Sequence, residues 1–227
     1  MEIEFFPYDF EYKIENRKTY VYLYSKKKNG QKICVIQEYQ PYFYVSIENI
    51  DLLALEKRLQ NLTINAGLEP AKVISWEETI KEFKGKKCKF WKIVVNYPKA
   101  VPIISKELES WDLDCYERDI LFVHRYLRDL GITPMALVKA EGKFIEDDNK
   151  VIPTFHAQKV IPLSSDTSSD WNILAVDIET YSEKKEINPE KNPILMIALY
   201  GKDNEGKEFK KVITWKEFTH NLDYLEI

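Results

Sequence analysis

The chain is poor in cysteine and glycine, and it lacks features typical of secreted, membrane-spanning or strongly basic proteins. Its three cysteines, Cys34, Cys88 and Cys115, have no disulfide or metal-ligand spacing, which indicates a reducing compartment. The first residues show no signal peptide, and no apolar run approaches the length of a transmembrane helix. A formal net charge of −4 argues against a wholly basic nucleic-acid binder. We therefore expect a cytoplasmic protein with no membrane association.

The composition is that of a globular protein rich in strand-forming residues. Of the 227 residues, 44% are hydrophobic and 13% aromatic, which is enough to bury a core in one large domain or two modest ones. Asn29 and Gly30 separate two β-branched and aromatic runs, which predicts a β-hairpin because both residues tolerate positive φ. The leucines of 52–62 recur at helical spacing, and Asn49 or Asp51 can cap the start of that helix.

The order of predicted elements indicates an α+β fold. From residue 41 onwards the order is strand, helix, strand, strand, helix, strand, which is the ferredoxin-like (RRM-like) βαββαβ order. A further helix ends at Gly131, a residue suited to the position after a helix. Residues 161–172 are rich in Ser, Asp and Thr, which indicates a linker. Three strand patterns with short or polar connections follow, and they predict the start of an antiparallel sheet.

Two carboxylates, Asp177 and Glu179, interrupt the apolar run "NILAVDIETYS". Side chains alternate across a strand, so these two residues share a face. Buried side by side they would repel each other, and a divalent metal ion relieves that repulsion. Mg²⁺ and Mn²⁺ prefer such oxygen ligands, and two-metal phosphoryl-transfer sites use clustered carboxylates. The alternative is a strand whose acidic face meets solvent.

Several segments in register resemble one protein family. The run "ILAVDIET" (173–180), followed by "NPILMIALY" and "KVITWKEF", is similar to the start of the 3′–5′ exonuclease domain of archaeal family-B DNA polymerases. Upstream, "YQPYFYVSI" (39–47), "FWKIVVNYPKAVPIISKEL" (90–108) and "YERDILFVHRYLRDLGITPM" (116–135) resemble the N-terminal domain of the same family. The resemblance covers nearly the whole chain.

The resemblance implies a nuclease site that this chain supplies only in part. The family's exonuclease fold is ribonuclease H-like, and its D-x-E carboxylates bind the metal pair, which implies Mg²⁺ or Mn²⁺ roles for Asp177 and Glu179. Two further aspartates of the family, in N-x-x-x-F-D and Y-x-x-x-D motifs, do not appear in the tail, although it contains Asp223. We therefore expect an N-terminal fragment that is inactive alone. Its partner would be the remainder of a DNA-directed DNA polymerase with 3′–5′ exonuclease, namely the missing exonuclease, palm, fingers and thumb.

The resemblance also implies a pocket that captures uracil in single-stranded template DNA. The positions of this sequence that match the family's pocket are Tyr12, Pro41, Tyr42, Pro98, Val101, Ile120, Phe122, Arg125 and Asp129. Two departures bear on it. Leu121 stands where the family usually has proline. Because leucine does not fix φ as proline does, this replacement would leave the loop less constrained. Ser105 stands where the family has arginine. The alternative reading of the pocket is ordinary core, with Arg125 and Asp129 as a surface pair at i and i+4.

The sequence thus predicts three regions and leaves more than one function open. Residues 1–135 are expected to form the N-terminal template- and uracil-recognition domain, 136–171 a connecting region, and 172–227 a partial 3′–5′ exonuclease domain. The alternatives to a polymerase fragment are a stand-alone module that binds single-stranded nucleic acid and a small subunit of a split polymerase. Basic runs at 26–28 and 81–92 suit phosphate contact or a solvated surface.

Overall fold

The computed structural model describes residues 1–65, 67, 69–145, 152–167, 171–183, 186–214, 223 and 225–226. The chain divides into two compact units, Met1–Thr167 and Ser168–Ile227. Over the described residues the fold is mixed α+β, with many strands and few helices. Within that part of the chain no helix is both long and apolar enough to cross a membrane. Part of the predicted linker (168–170) and the end of the strand pattern at 211–218 (215–218) lie outside the described residues.

Strands predominate along the described chain, and the helices lie between strands of the first unit. In the first unit they are β1 (Glu2–Glu15), β2 (Lys18–Lys26), β3 (Lys32–Glu38), β4 (Tyr42–Ser46), α1 (Leu52–Gln60), β5 (Thr63–Ile64), β6 (Ala71–Phe83), β7 (Lys86–Val95), α2 (Ala100–Glu109), β8 (Cys115–Tyr116), α3 (Phe122–Leu130), β9 (Ala136–Ile145) and β10 (Thr154–Thr167). In the second unit they are β11 (Ile173–Thr180), β12 (Ile194–Lys202), β13 (Glu208–Thr214) and β14 (Leu225–Glu226).

Five strands of the first unit close into a barrel in the order β1-β2-β3-β10-β9. The predicted hairpin between β2 and β3 is confirmed, and Gly30 takes a φ of +83° in its turn. The barrel closes because β10 pairs in parallel with β3 and β9 pairs with β1. Inward side chains such as Phe5, Leu23 and Phe155 are fully buried. Alternation of side chains along each strand therefore fills the barrel with apolar groups.

A five-stranded sheet with the order β5-β6-β7-β4-β8 forms the second layer of the first unit. Neighbouring strands run antiparallel throughout. The buried sides of α1 and α2 pack on one face of this sheet, where Phe43 and Ile93 are fully buried. Helix α1 starts as predicted, because the Asp51 side chain accepts a hydrogen bond from the Ala54 amide.

Residues 136–145 and 154–167 lie in the barrel, which corrects the predicted connecting region 136–171 and the linker at 161–172. They form β9 and β10, and their ladder extends over most of both strands. The Ser/Asp/Thr-rich segment is therefore strand as far as Thr167, because ladder hydrogen bonds to β9 outweigh its turn-like composition. The boundary between compact units consequently moves from 135 to 167.

Helix α3 connects the sheet to the barrel. It ends at Gly131, which has the left-handed φ of +67° and donates its amide to the last carbonyl groups, as the sequence predicts. Its Tyr126 is fully buried in the barrel core and donates a hydrogen bond to Gln37 on β3. The helix is thereby attached to the barrel.

The second unit is a four-stranded sheet with the order β11-β12-β13-β14. The predicted antiparallel arrangement is confirmed for β11, β12 and β13, whereas β14 runs parallel to β13. Large apolar side chains on β11, including Leu174 and Val176, are exposed. The strand around "AVDIET" is therefore exposed in the described part of the second unit, although its flanks are apolar.

Candidate functional site

A cavity of about 360 Å³ lies where the starts of α2, α3 and β4 meet strand β1. Its lining contains every predicted pocket residue except Asp129. The side chains around it belong to Tyr12, Pro41, Tyr42, Pro98, Lys99, Val101, Pro102, Arg118, Asp119, Ile120, Leu121, Phe122 and Arg125. The predicted residues come from four separate parts of the sequence, and the fold brings them together.

Rigid elements hold the aromatic side of the cavity. Tyr12 projects from β1 and packs edge-on against Phe122 at the start of α3, with ring centroids 5.2 Å apart. Tyr39 follows β3 and contacts the same Phe122 ring at 5.5 Å. Aromatic rings in edge-to-face contact stabilise each other beyond the area they bury. Strand β1, the segment after β3 and the start of α3 therefore contribute to one aromatic cluster beside the cavity.

Tyr42 is held on its ring and at its hydroxyl group. The Arg125 guanidinium lies 4.3 Å from the ring centroid, and the Lys92 ammonium lies 4.6 Å from it. Asp129 accepts hydrogen bonds from the hydroxyl groups of Tyr42 and Tyr39. Burial, together with the hydrogen bond to Asp129, raises the pKa of the Tyr42 phenol above its usual value. The ring therefore stays neutral, and Asp129 supports the cavity from behind instead of lining it.

Arg125 pairs with Glu117, and not with Asp129 as in the alternative reading of a surface pair. Its side chain is 4% exposed, its Nη1 donates to Glu117 Oε2 at 3.0 Å, and its Nη2 donates to the Glu117 carbonyl. Lys81 Nζ lies 2.5 Å from the other Glu117 oxygen. Although burial works in the opposite direction, hydrogen bonds from Lys81 and Arg125 lower the pKa of the Glu117 carboxyl. A buried guanidinium thus keeps its charge because a carboxylate compensates it.

The start of α3 borders the cavity, and its first amides have no acceptor within the helix. Within the described chain no side chain caps this helix, whose N-cap residue is Leu121. The first backbone hydrogen bond of the helix runs from the Arg125 amide to the Leu121 carbonyl. The amides of 122–124 are therefore left to bind oxygen atoms of a ligand or water. A helix start also favours negative charge through its dipole.

The two departures from the family pattern have different positions. Leu121 lines the cavity and is 67% exposed. Its φ of −55° and ψ of 133° fall in the range that proline imposes, so the substitution leaves a proline-compatible backbone. Ser105 is fully buried in α2, where its hydroxyl donates to the Pro102 carbonyl, and it does not line the cavity.

The predicted metal ligands, Asp177 and Glu179, lie on β11 in the second unit. Both side chains are exposed, and their strand pairs with β12 at Ala198 and Met196. Two carboxylates on one strand face are suitable ligands for Mg²⁺ or Mn²⁺. Over the part of the chain that the structure describes, however, no group of three or more His, Cys, Asp or Glu side chains could hold a metal ion. The described residues therefore do not make a complete two-metal site.

The site residues that the sequence analysis missed share no local pattern. Lys99, Pro102, Arg118 and Asp119 line the cavity beside predicted residues. Glu117 matters more, because it binds the arginine behind Tyr42. It lies in the short segment between β8 and α3, where neither periodicity nor a motif marks it. A positive charge predicted to be buried at Arg125 would have been the signal to search for a carboxylate partner.

Known proteins show the same similarity over nearly the whole chain. The family model for the exonuclease domain of DNA polymerase family B matches residues 113–226. "DNA polymerase 1" of Pyrococcus abyssi is 29% identical over 222 residues, which cover 96% of this chain and 23% of that protein. A DNA polymerase of Thermococcus sp. (strain 9oN-7) is 31% identical over 222 residues, with the same shares of both chains.

A solved structure has the same fold. The family B DNA polymerase from the hyperthermophilic archaeon Pyrobaculum calidifontis superposes with a TM-score of 0.66 at 23% sequence identity, over 94% of this chain and 27% of that one. The chain thus spans about a quarter of the length of its relatives. The family match covers half of the sequence, and the similarity to the polymerases covers almost all of it. The chain belongs to DNA polymerase family B.

Proposed function

We propose that this chain is the N-terminal part of a DNA-directed DNA polymerase and that its first unit binds single-stranded template DNA and captures uracil from it. The carrying observation is the cavity, which gathers Tyr12, Pro41, Tyr42, Pro98, Val101, Ile120, Phe122 and Arg125 from four separate parts of the sequence. Because these residues surround one cavity, their positions support the interpretation as a binding site over the alternative of separate core residues.

The cavity has the size and lining for an unpaired base. Its volume of about 360 Å³ is within the range of small-molecule sites. Aromatic and apolar side chains suit the faces of a base, and base–aromatic stacking is worth about 1–3 kcal/mol. The free amides at the start of α3 suit the carbonyl oxygens on its edge. Paired bases do not expose these groups, so single-stranded DNA is the substrate we infer.

Selection of uracil over thymine depends on one methyl group. The cavity is larger than a base, so its total volume does not exclude the methyl group. Exclusion instead requires that the methyl-bearing edge of the base lies in close contact with a fixed wall. Val101 and Pro98 at the start of α2 and Tyr42 on β4 supply such a wall. One methyl-sized difference is worth roughly 10- to 200-fold in binding.

The test is a fluorescence anisotropy titration with two single strands that differ in one uracil or thymine. We expect a roughly 10- to 200-fold preference for the uracil strand. Val101→Gln should remove the preference, because a longer polar side chain fills the cavity, and salt-dependent affinity for both strands should remain. Leu53→Gln is the matched control, since Leu53 is 71% exposed on α1.

Equal affinity of the unsubstituted chain for both strands would reject uracil capture. Non-selective binding of single strands would then favour the alternative of a general single-stranded nucleic-acid module. If neither strand binds, the first unit is a scaffold domain of the polymerase. The three results are distinguishable in the same titration.

The layers of the first unit support a ferredoxin-like arrangement for residues 42–116. The order β6-β7-β4-β8 with antiparallel neighbours, together with two helices on one face, is the spatial order that a βαββαβ unit adopts. For the second unit we propose the first strands of a ribonuclease H-like exonuclease domain. Its three antiparallel strands followed by a parallel strand support that assignment.

We further propose that Asp177 and Glu179 are this chain's contribution to a divalent-metal nuclease site of the parent enzyme. Mg²⁺ or Mn²⁺ there would supply the Lewis acid for phosphodiester hydrolysis. Because no further metal-binding side chain joins these two carboxylates among the described residues, the 227-residue chain should not degrade single-stranded DNA with either ion. Degradation that Asp177→Ala abolishes, in an assay of 5′-labelled single strands, would contradict this expectation.

A further inference from the structure

Glu117 combines strained backbone with a central position among charged groups. Its φ is +56°, a left-handed value that a residue with a side chain seldom adopts. Such strain persists only where surrounding contacts over-determine the conformation. Here both carboxylate oxygens and the carbonyl of Glu117 are bound, by Lys81 from β6 and Arg125 from α3. The strain therefore accompanies a fixed set of contacts beside the cavity.

These contacts continue to the cavity wall without a gap. Glu117 fixes the Arg125 guanidinium, which lies 4.3 Å from the centroid of the Tyr42 ring, and Tyr42 lines the cavity. Lys81 reaches the same carboxylate while its ammonium lies 3.7 Å from the centroid of the Tyr44 ring. The contacts thus connect the β6–β7 hairpin, through the Glu117 carboxylate, to the Tyr42 ring that lines the cavity.

We propose that Glu117 is a positioning residue for base selection, which acts through Arg125 to hold Tyr42 in the place where it excludes the thymine methyl. The proposal rests on the proposed uracil capture. A carboxylate that holds a planar guanidinium through two groups restricts its orientation as well as its position. Because Arg125 is almost fully buried, loss of its partner leaves a charge that must move toward water. Tyr42 would then lose the support beneath its ring.

The central variant is Glu117→Gln, which keeps shape and removes charge. We expect the uracil preference to fall by about tenfold, the worth of one charge-assisted contact. The loss should come from weaker uracil binding, with thymine-strand affinity and its salt dependence little changed. Lys81→Met is a second variant that leaves Glu117 and Arg125 in place, and it should lower the preference by a smaller factor.

The matched control is Glu78→Gln. Glu78 pairs with Lys89 at 2.9 Å on the same β6–β7 hairpin and does not line the cavity, so the same substitution removes an ion pair elsewhere. It should leave the uracil preference unchanged. Glu117→Gly controls for the backbone, because glycine accepts positive φ without strain. If the carboxylate matters and not the strain, this variant should lose the preference as Glu117→Gln does.

A measurement without DNA separates this inference from the proposed function. 3-Fluorotyrosine at position 42 of the full chain reports the surroundings of the ring by ¹⁹F NMR. We expect one resonance in the unsubstituted chain and a shifted or broadened one in Glu117→Gln, with no change in Glu78→Gln. If the unsubstituted chain shows no uracil preference but the resonance changes, uracil capture fails and the positioning of Tyr42 stands.

Two outcomes would overturn the inference. In the first, Glu117→Gln retains both the uracil preference and the position-42 resonance of the unsubstituted chain. In the second, both strands lose affinity equally while the resonance stays unchanged, which would assign Glu117 a general role in stability. A lower melting temperature of the Glu117→Gln variant does not affect this comparison, because a small unfolded fraction lowers the apparent affinity for both strands equally and leaves their ratio unchanged.

Discussion

Strands of similar composition have opposite surroundings in the two compact units. Val35 on β3 is fully buried in the barrel, whereas Val176 on β11 is 57% exposed. The clusters of buried apolar residues in the described chain all lie in the first unit. A strand pattern therefore identifies a strand, but its burial depends on whether a second layer covers the sheet. In the first unit closure of the barrel and the helices α1 and α2 provide that layer.

The largest expected difference between the units is in stability after a core truncation. Phe155→Ala should lower the free energy of unfolding by about 3–5 kcal/mol, because Phe155 is fully buried in the barrel. Ile178→Ala on β11 should cost less than about 1 kcal/mol, since Ile178 is 50% exposed. Urea unfolding followed by circular dichroism measures both. Equal losses would show that β11 is buried in solution.

Limited proteolysis tests the boundary between the units. We expect the first cuts beyond Thr167 and a stable product that ends near that residue, because β9 and β10 complete the barrel. Mass spectrometry of the product locates its end. A first cut inside 40–130, or a stable product that ends near 135, would contradict the assignment of β9 and β10 to the barrel.

Leu121→Pro tests whether the cavity rim tolerates the family's usual residue. The φ of −55° at Leu121 is compatible with proline, so the substitution should stabilise the chain by about 0.4–1 kcal/mol through the unfolded state. The uracil preference should remain. Thermal unfolding and the two-strand titration measure these effects, and a loss of stability would show that the amide of residue 121 is needed in the fold.

Acid should weaken the first unit at Glu117. Its pKa is lowered in the folded state, so its contribution to stability is present above the unfolded pKa and is lost as pH falls through the folded pKa. The difference in stability between the unsubstituted chain and Glu117→Gln should therefore be constant near neutral pH and shrink under acid. Urea unfolding over a pH series checks this. A difference that grows in acid would reverse the sign and exclude the ion pair.

The smallest expected effect in stability concerns the apolar surface of the second unit. Leu174→Gln with Val176→Gln should change stability by less than about 0.5 kcal/mol, since both side chains are exposed. The double variant should nevertheless bind less of the dye ANS, which reports exposed apolar surface. Leu53→Gln in α1 is an isolated exposed leucine and should change dye binding less. Unaltered dye fluorescence in the double variant would indicate that this surface is covered in solution.

Local patterns predicted the elements that depend on neighbouring residues. The hairpin at Gly30, the start of α1 at Asp51 and the end of α3 at Gly131 each follow from a turn or cap that a short sequence specifies. Closure of the barrel left no such signal, because β3 pairs with β10 across most of the first unit. The segment 161–167 was misassigned for a different reason: its Ser, Asp and Thr content is typical of a turn, although it continues a strand that pairs with the preceding β9.

The candidate site divides in the same way. Residues matched to the family pattern meet at the cavity, while Asp129 lies behind it and supports Tyr42. Glu117 and Lys81 could not be found from spacing, because their contact joins β6 to the segment before α3. A buried charge requires a partner, but the sequence does not say which carboxylate the fold brings to it. Only three-dimensional packing supplies that choice.

The parallel pairing of β3 with β10 has a consequence for synthesis of the chain on the ribosome. Residues 34–37 pair with 154–157, so the barrel cannot close until β10 has emerged. The sheet of residues 42–116 lies entirely between them in sequence and is available earlier. Contacts close in sequence form before distant ones, because a long loop costs more entropy to close. The start of α2 should therefore form before α3 and the barrel, so that the cavity between them is the last part of the first unit to be assembled.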